Sequence, residues 1–146
     1  MKTENHTRIE FPSRSANEGY ARTAAACFAA QMDPTLDEIN DIKTAVSEAV
    51  TNAIVHAYPN EIGKIVMKLR IREGGVLEIA VQDWGVGIDD VERARQPMYT
   101  TGNAERSGMG FTIMESFMDA LRVRSRPGKG TVVTMKKRIA LRCAGR

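Results

Sequence analysis

The sequence predicts an α+β fold, a two-layer sandwich with helices on one face of a mixed, mostly antiparallel sheet. Three observations carry this. Two pairs of alternating apolar segments are each joined by a short glycine turn, at Gly74-Gly75 and at Arg126-Pro127-Gly128-Lys129-Gly130, and such pairs close as antiparallel hairpins. Long helical periodicities precede and separate them. No regular strand–helix alternation runs through the chain, which argues against a parallel sheet. At 146 residues the chain has the size of one domain. The expectation is a single unit over 1–146, with a flexible tail at 139–146.

The elements follow in order. Residues 7–11 read as a short strand with Ile9 and Phe11 on one side. Residues 13–31 read as a helix whose apolar stripe is Tyr20, Ala24, Cys27 and Phe28, broken by Asp33-Pro34. Thr35-Leu36-Asp37-Glu38 has the T-x-x-E form of a capping box. From there Leu36, Ile39, Ile42, Val46, Ala49, Val50, Ala53 and Ile54 recur at three- and four-residue spacings, a long amphipathic helix ending near Ala57. Ile65, Met67, Leu69 and Ile71 alternate with Lys64, Lys68, Arg70 and Arg72; beyond the glycines, Leu77, Ile79 and Val81 alternate with Glu78, Ala80 and Gln82. A short helix is expected at 91–95, a mobile loop at 96–107 and a helix at 108–119. Two further strands are expected at 121–125 and 131–137.

Composition narrows the class. Apolar residues at 42% and charged residues at 27% fit a soluble globular protein. No apolar run of about 18 residues exists to span a bilayer, and the start lacks the apolar centre of a secretory signal. Cys27 and Cys143 show no ligand spacing. A cytoplasmic, disulfide-free protein is the simple expectation. The net charge of +3 is local, concentrated in the last third from Arg122 to Arg146. That suggests either nucleic acid or a solvated basic sheet face, and no aromatic platform accompanies the charges as single-strand binding requires.

Three islands carry polar or glycine signals that a core does not need. In Ser47-Glu48-Ala49-Val50-Thr51-Asn52, Glu48 and Asn52 stand one turn apart at the edge of the apolar stripe. An Asn oxygen suits Mg²⁺ when phosphates supply the charge, and a Glu nearby can accept a proton; two solvated polar residues fit the pattern as well. Asp83-Trp84-Gly85-Val86-Gly87-Ile88 follows a strand directly. A strand-end Asp can accept from a purine amine, and its glycines admit a flat ligand; a plain turn has the same composition. Ser107-Gly108-Met109-Gly110-Phe111 enters a helix, with Arg106, Thr100 and Thr101 upstream. Bare amides there attract phosphate, and an ordinary loop–helix junction reads alike.

Taken in order, and followed by Gly130-Thr131, the three islands resemble the N, G1 and G2 boxes of the GHKL ATPase superfamily, which has the Bergerat fold. The wording SEAVTNAIVHAY, DWGVGI, ERSGMGFTIMESFMD and KGT is similar to bacterial anti-sigma factor serine/threonine kinases, closest to the anti-sigma-F group of endospore formers. FPSRSANEGYAR extends the likeness over nearly the whole chain.

The resemblance implies roles by position. Glu48 matches the catalytic base and Asn52 the Mg²⁺ ligand. Asp83 matches the adenine-reading Asp, with Gly85, Gly87 and Ile88 beside it. Thr100 and Thr101 fall in the ATP lid. Arg106, Ser107, Gly108, Met109, Gly110 and Phe111 match the phosphate-binding segment, Thr131 a strand residue near adenine, and His56 a His beside the nucleotide. The implied activity is ATP-dependent phosphorylation of a serine on an anti-anti-sigma protein of STAS fold. The implied partners are that protein, a sporulation sigma factor and a second copy in a homodimer, with ATP/ADP and Mg²⁺ as cofactors and no direct contact with nucleic acid or membrane. The chain departs from the family pattern at Gly102-Asn103, where Lys-Pro is expected, and at Trp84, bulkier than usual. The first departure leaves a nucleotide-dependent sigma-binding module with little kinase activity as the alternative.

Overall fold

A computed structural model describes residues 2–96 and 109–139. The expectations for the lid and phosphate segment at 97–108, and for the tail from 140, lie outside the described residues; Ile139, expected to open that tail, is instead buried in the core and donates its N to Gly75 O at 2.8 Å. Five strands form one sheet in the order β1-β2-β3-β5-β4: β1 is Thr3–Pro12, β2 Lys64–Arg72, β3 Val76–Asp83, β4 Ala120–Arg126 and β5 Gly130–Arg138. All four pairings are antiparallel. The helices are α1 (Asn17–Ala29), α2 (Leu36–Asn52), α3 (Val91–Ala94) and α4 (Gly110–Phe117). Among the described residues no helix is long and apolar enough to cross a membrane.

The capping box forms as the sequence predicts. Glu38 N donates to Thr35 Oγ1 at 3.1 Å, and Thr35 N donates to Glu38 Oε1 at 2.8 Å. This satisfies two amides that the first turn of α2 leaves without helical partners. From there α2 buries Ile42, Ala45, Val46, Ala49 and Val50, while Leu36 at the helix start is exposed. The helix does not stop at Asn52; it widens into a π turn over Ala53–Ala57.

On α1 the expected stripe is half right: Ala24 and Phe28 are partly buried against the core, but the fully buried positions are others. Ala21, Ala25 and Ala29 are fully buried, whereas Tyr20 and Cys27 are exposed. Alanines at four-residue spacing let α1 lie close against α2, and that packing overrides the larger residues one position away. Tyr20 instead meets Phe11 edge to face, with ring centroids 6.2 Å apart. The helix also begins four residues later than expected. Ser13 is buried and ties this loop to β2: Ser13 N donates to Gly63 O at 2.8 Å, and Gly63 N to Ser13 Oγ at 2.9 Å. Strand β1 is longer than its apolar alternation, since its exposed start pairs with β2 as far as Thr3↔Arg72.

Register decides what faces the helices. Ile65, Met67 and Leu69 of β2 stand beside Asp83, Val81 and Ile79 of β3, and these beside Thr131, Val133 and Met135 of β5. The apolar members of this set are all buried and form the core with the α2 stripe, Phe111 and Met114. The opposite face is polar. There Glu78 is buried among cations: Arg70 Nη1 and Arg72 Nη1 each lie 3.1 Å from its oxygens, and Lys136 Nζ 3.9 Å.

Candidate functional site

Two groups of the sequence-predicted residues assemble near the C-terminal end of α2 and the π turn that continues it. The first is Glu48 and Asn52 with the start of α4. Both side chains are half-buried and converge on Gly110. A Cβ placed on Gly110 would lie 3.1 Å from Asn52 Nδ2, 3.2 Å from its Oδ1 and 3.4 Å from Glu48 Oε1. Glycine at this position lets the first turn of α4 approach an amide and a carboxylate on a neighbouring helix. Met109 and Gly110 are half-buried beside it. Phe111 turns its ring into the core, so its backbone is what it can offer a ligand.

The second group is centred on Asp83. The alternation Leu77, Ile79, Val81 carries Asp83 onto the core face at the end of β3, where it is 6% exposed. Thr131 stands opposite it in register, and Ser125 opposite Thr131. Asp83 Oδ1 accepts from Gly85 N at 3.0 Å and from Thr131 N at 3.2 Å. Burial pushes the Asp83 carboxyl above its usual range, while the Gly85 and Thr131 amides pull it back. The protonated form is therefore favoured by folding: the stability Asp83 contributes is full below its unfolded pKa and is lost as pH rises through the folded one. The ionised carboxylate is the form that burial disfavours here.

The loop after Asp83 is fixed from both sides. Val86 N donates to Ala57 O at 3.0 Å, Gly128 N to Val86 O at 2.7 Å, and Ile88 N to Ser125 Oγ at 2.8 Å. The π turn thus presents the carbonyl of Ala57 to the loop that contains Gly85 and Gly87. Wide turns of this kind occur often at functional sites. His56 lies within the π turn, half-buried. The two groups are joined through one helix end: Glu48 and Asn52 lie on α2, and the loop after Asp83 bonds to the π turn that continues it.

Two residues of this site carry no signal as motif members. Tyr58 accepts from Trp84 N at 2.7 Å and donates to Lys64 O at 2.7 Å, bracing the strand end that carries Asp83. Its position at the end of a helical run says nothing of this. Ser125 is different, since its hydroxyl lies 2.8 Å from Thr131 Oγ1 and donates to Gly130 O at 3.0 Å. A serine in phase with Leu121 and Val123 is a polar residue at a core-facing position, and that signal was available in the sequence. Trp84, the only tryptophan, is exposed, with Lys64 Nζ 4.3 Å from its ring centroid.

Gly130 closes the strand end. Its φ is +115°, and an added Cβ would sit 2.2 Å from Asp83 O. Gly130→Ala is therefore expected to destabilise the fold by about 3 kcal/mol or more. That corresponds to a drop of roughly 10 °C in thermal midpoint, measurable by calorimetric or circular-dichroism melting.

Among the described residues no group of three or more His, Cys, Asp and Glu side chains is placed to hold a metal ion. The donor set fits a hard cation only where most ligands come from elsewhere. One neutral amide oxygen, that of Asn52, faces the start of α4, which suits Mg²⁺ carrying phosphate oxygens and waters.

Comparison with known proteins shows the family and the fold. The family model described as Histidine kinase-like ATPase domain matches residues 11–137. The chain is 56% identical over 140 residues to an anti-sigma F factor of Thermoanaerobacter sp. (strain X514), covering 95% of this chain and 97% of that one. It is 55% identical over 141 residues to an anti-sigma F factor of Geobacillus kaustophilus (strain HTA426), covering 96% and 95%. Among solved structures, that of the RsbU and RsbW domains of Rv1364c from Mycobacterium tuberculosis has a TM-score of 0.66 at 20% identity, covering 92% of this chain and 32% of that one. The mycobacterial sensor histidine kinase MprB has a TM-score of 0.58 at 18% identity, covering 93% and 100%. At such identities the two structures speak for the fold.

Proposed function

As the chain belongs to the histidine kinase-like ATPase family, and within it to the anti-sigma F factors, we propose that it is an ATP-dependent protein-serine kinase that also sequesters a sporulation sigma factor. Its protein substrate in this reading is a serine of an anti-anti-sigma protein of STAS fold. The observation that carries the reading is the convergence of Glu48 and Asn52 on Gly110, with the Asp83–Thr131–Ser125 row starting on the strand whose following loop bonds to the same helix end.

Each residue has a task the geometry can support. Asp83 spends Oδ1 on two backbone amides, so Oδ2 is the oxygen for a purine amine. Thr131 and Ser125 border it with hydroxyls. The amides at the start of α4 would take phosphate oxygens, and the Asn52 oxygen would hold Mg²⁺. When bound, Mg-ATP supplies the γ-phosphoryl group and the charge that offsets its oxygens. Glu48 takes the proton of the attacking serine hydroxyl as the new O–P bond forms and the bond to ADP breaks. Base and metal ligand on one rigid helix stay in fixed relation. The added phosphate carries a charge of about −1.5 to −2 and ejects the substrate protein; with ADP bound, the unphosphorylated antagonist is held instead. The chain works as a cytoplasmic homodimer in this reading.

A second reading rests on Gly102-Asn103, where the family pattern has Lys-Pro. One phosphate-facing cation fewer favours a nucleotide-dependent sigma-binding module with little turnover. Incubation with γ-labelled ATP, Mg²⁺ and a STAS-fold anti-anti-sigma protein separates the two. Label on a serine of the added protein is expected. Intact nucleotide binding with no serine label supports the second reading and overturns the kinase.

A further inference from the structure

The basic residues of the last third have no part in the nucleotide site, and the sheet register shows where they go. Lys68, Ala80, Thr134 and Arg122 form one row across β2, β3, β5 and β4 on the face away from the helices. Arg70 and Arg124 flank this row on β2 and β4. The result is a trough with cations on each side and a floor that is small at Ala80 and Thr134, with Gln82 and Val132 next to them on the Arg124 side. Lys68, Arg122 and Arg124 make no ion pair among the described residues. At its Glu78 end the floor is closed by Lys136.

Charges without ion-pair partners, half-buried at Lys68 and exposed at Arg122 and Arg124, would be unremarkable if scattered. Here they line two walls three strand spacings apart, roughly 14 Å. An α-helix with its side chains is about 10–12 Å across. We propose that this trough docks an acidic α-helix of a partner protein, seated on Ala80 and Thr134 with its carboxylates toward Lys68 on one side and Arg122 and Arg124 on the other.

Charge selects this occupant from the others. A second copy meeting through the same face sets cations against cations. The chain's own residues after Ile139 carry Arg142 and Arg146 and no acid, so they repel the trough as well. A polyphosphate backbone or an anionic bilayer samples the whole face, on which the carboxylates of Glu10 and Glu78 interrupt the positive field. A helix lying along the strands meets the floor at Ala80 and Thr134 and the cations on either side, and little else of the face. The inference does not depend on the proposed kinase, because Asp83, Thr131 and Ser125 occupy the opposite face of the sheet.

The test uses the full chain and two labelled 18-residue peptides of one composition, alanines and glutamates, with an alanine stripe at i, i+4, i+7 and i+11 and glutamates in a stripe along each side of it. One carries its single proline at the N-terminus and is helical; the other carries it at the centre and is broken. In fluorescence anisotropy at low salt the helical peptide is expected to bind about ten-fold tighter than the broken one. Lys68→Glu with Arg122→Glu is expected to remove about ten-fold or more of that affinity with melting unchanged, and to bind a lysine-for-glutamate version of the peptide instead. Equal affinity for the two isomers, or no binding, overturns the proposal. So does tighter binding of duplex DNA or phosphatidylserine vesicles that is lost in the same double variant, which assigns the face to a polyanion.

Discussion

Asp83→Asn is expected to raise the dissociation constant for Mg-ATP about 100-fold or more, while the thermal midpoint at pH 7 holds or rises. The reason is donor and acceptor accounting. Oδ1 of Asp83 accepts from the amides of Gly85 and Thr131, so an Asn must keep its oxygen there. Its NH₂ group then replaces the second carboxylate oxygen. A donor faces the purine amine, itself a donor, and a buried pair of that kind costs about 3 kcal/mol or more. Stability moves the other way. Burial raises the carboxyl pKa, so the ionised form is the strained one, and the strain is present at pH values above the folded pKa. Asn removes the charge and keeps the two amide bonds. Below the unfolded carboxylate pKa the difference in stability between the two proteins disappears. Calorimetric titration read beside melting curves across pH checks both halves. A variant that loses nucleotide because it unfolds contradicts this account of Asp83.

Glu48→Gln is expected to lower phosphoryl transfer by about 10²–10⁴-fold and to leave the Mg-ATP dissociation constant within about two-fold. Gln has the length of Glu and its polar end, so contact with the Gly110 turn is retained. What is lost is the ability to take a proton. Asn52 is unchanged in this variant, so the metal site is separated from the base. Single-turnover transfer of labelled phosphate to the STAS-fold protein, with binding measured in parallel, makes the distinction. A residue that only positions α4 would change binding and stability along with the rate, and transfer that survives unchanged removes Glu48 as the base.

Much of this fold is legible because local rules and tertiary demands agree. The Thr35–Glu38 box starts α2 where the sequence says it does, and the Gly74-Gly75 turn sets a register that puts Leu77, Ile79 and Val81 on the core face. Asp83 follows from the same alternation, which is why a polar strand end could be read as a site residue. Other features depend on which surfaces meet. The alanine stripe of α1 is invisible to a search for large apolar residues, because its value lies in close approach to α2. The π turn at Ala53–Ala57 continues a helical periodicity without announcing its wider pitch. Tyr58 acts through a hydroxyl that reaches two distant backbone groups, a contact that no spacing encodes. The outer basic face needed the strand order, since Lys68 and Arg122 are far apart in sequence and share a row only through β3 and β5.

Titration of the intact chain with Mg-ATP at neutral pH in a calorimeter bears on all of these residues at once. One nucleotide per chain is predicted, with affinity that falls when EDTA removes the divalent ion. A flat thermogram at saturating Mg-ATP, from protein that melts cooperatively, would contradict a shared nucleotide site for Asn52, Asp83 and Gly110.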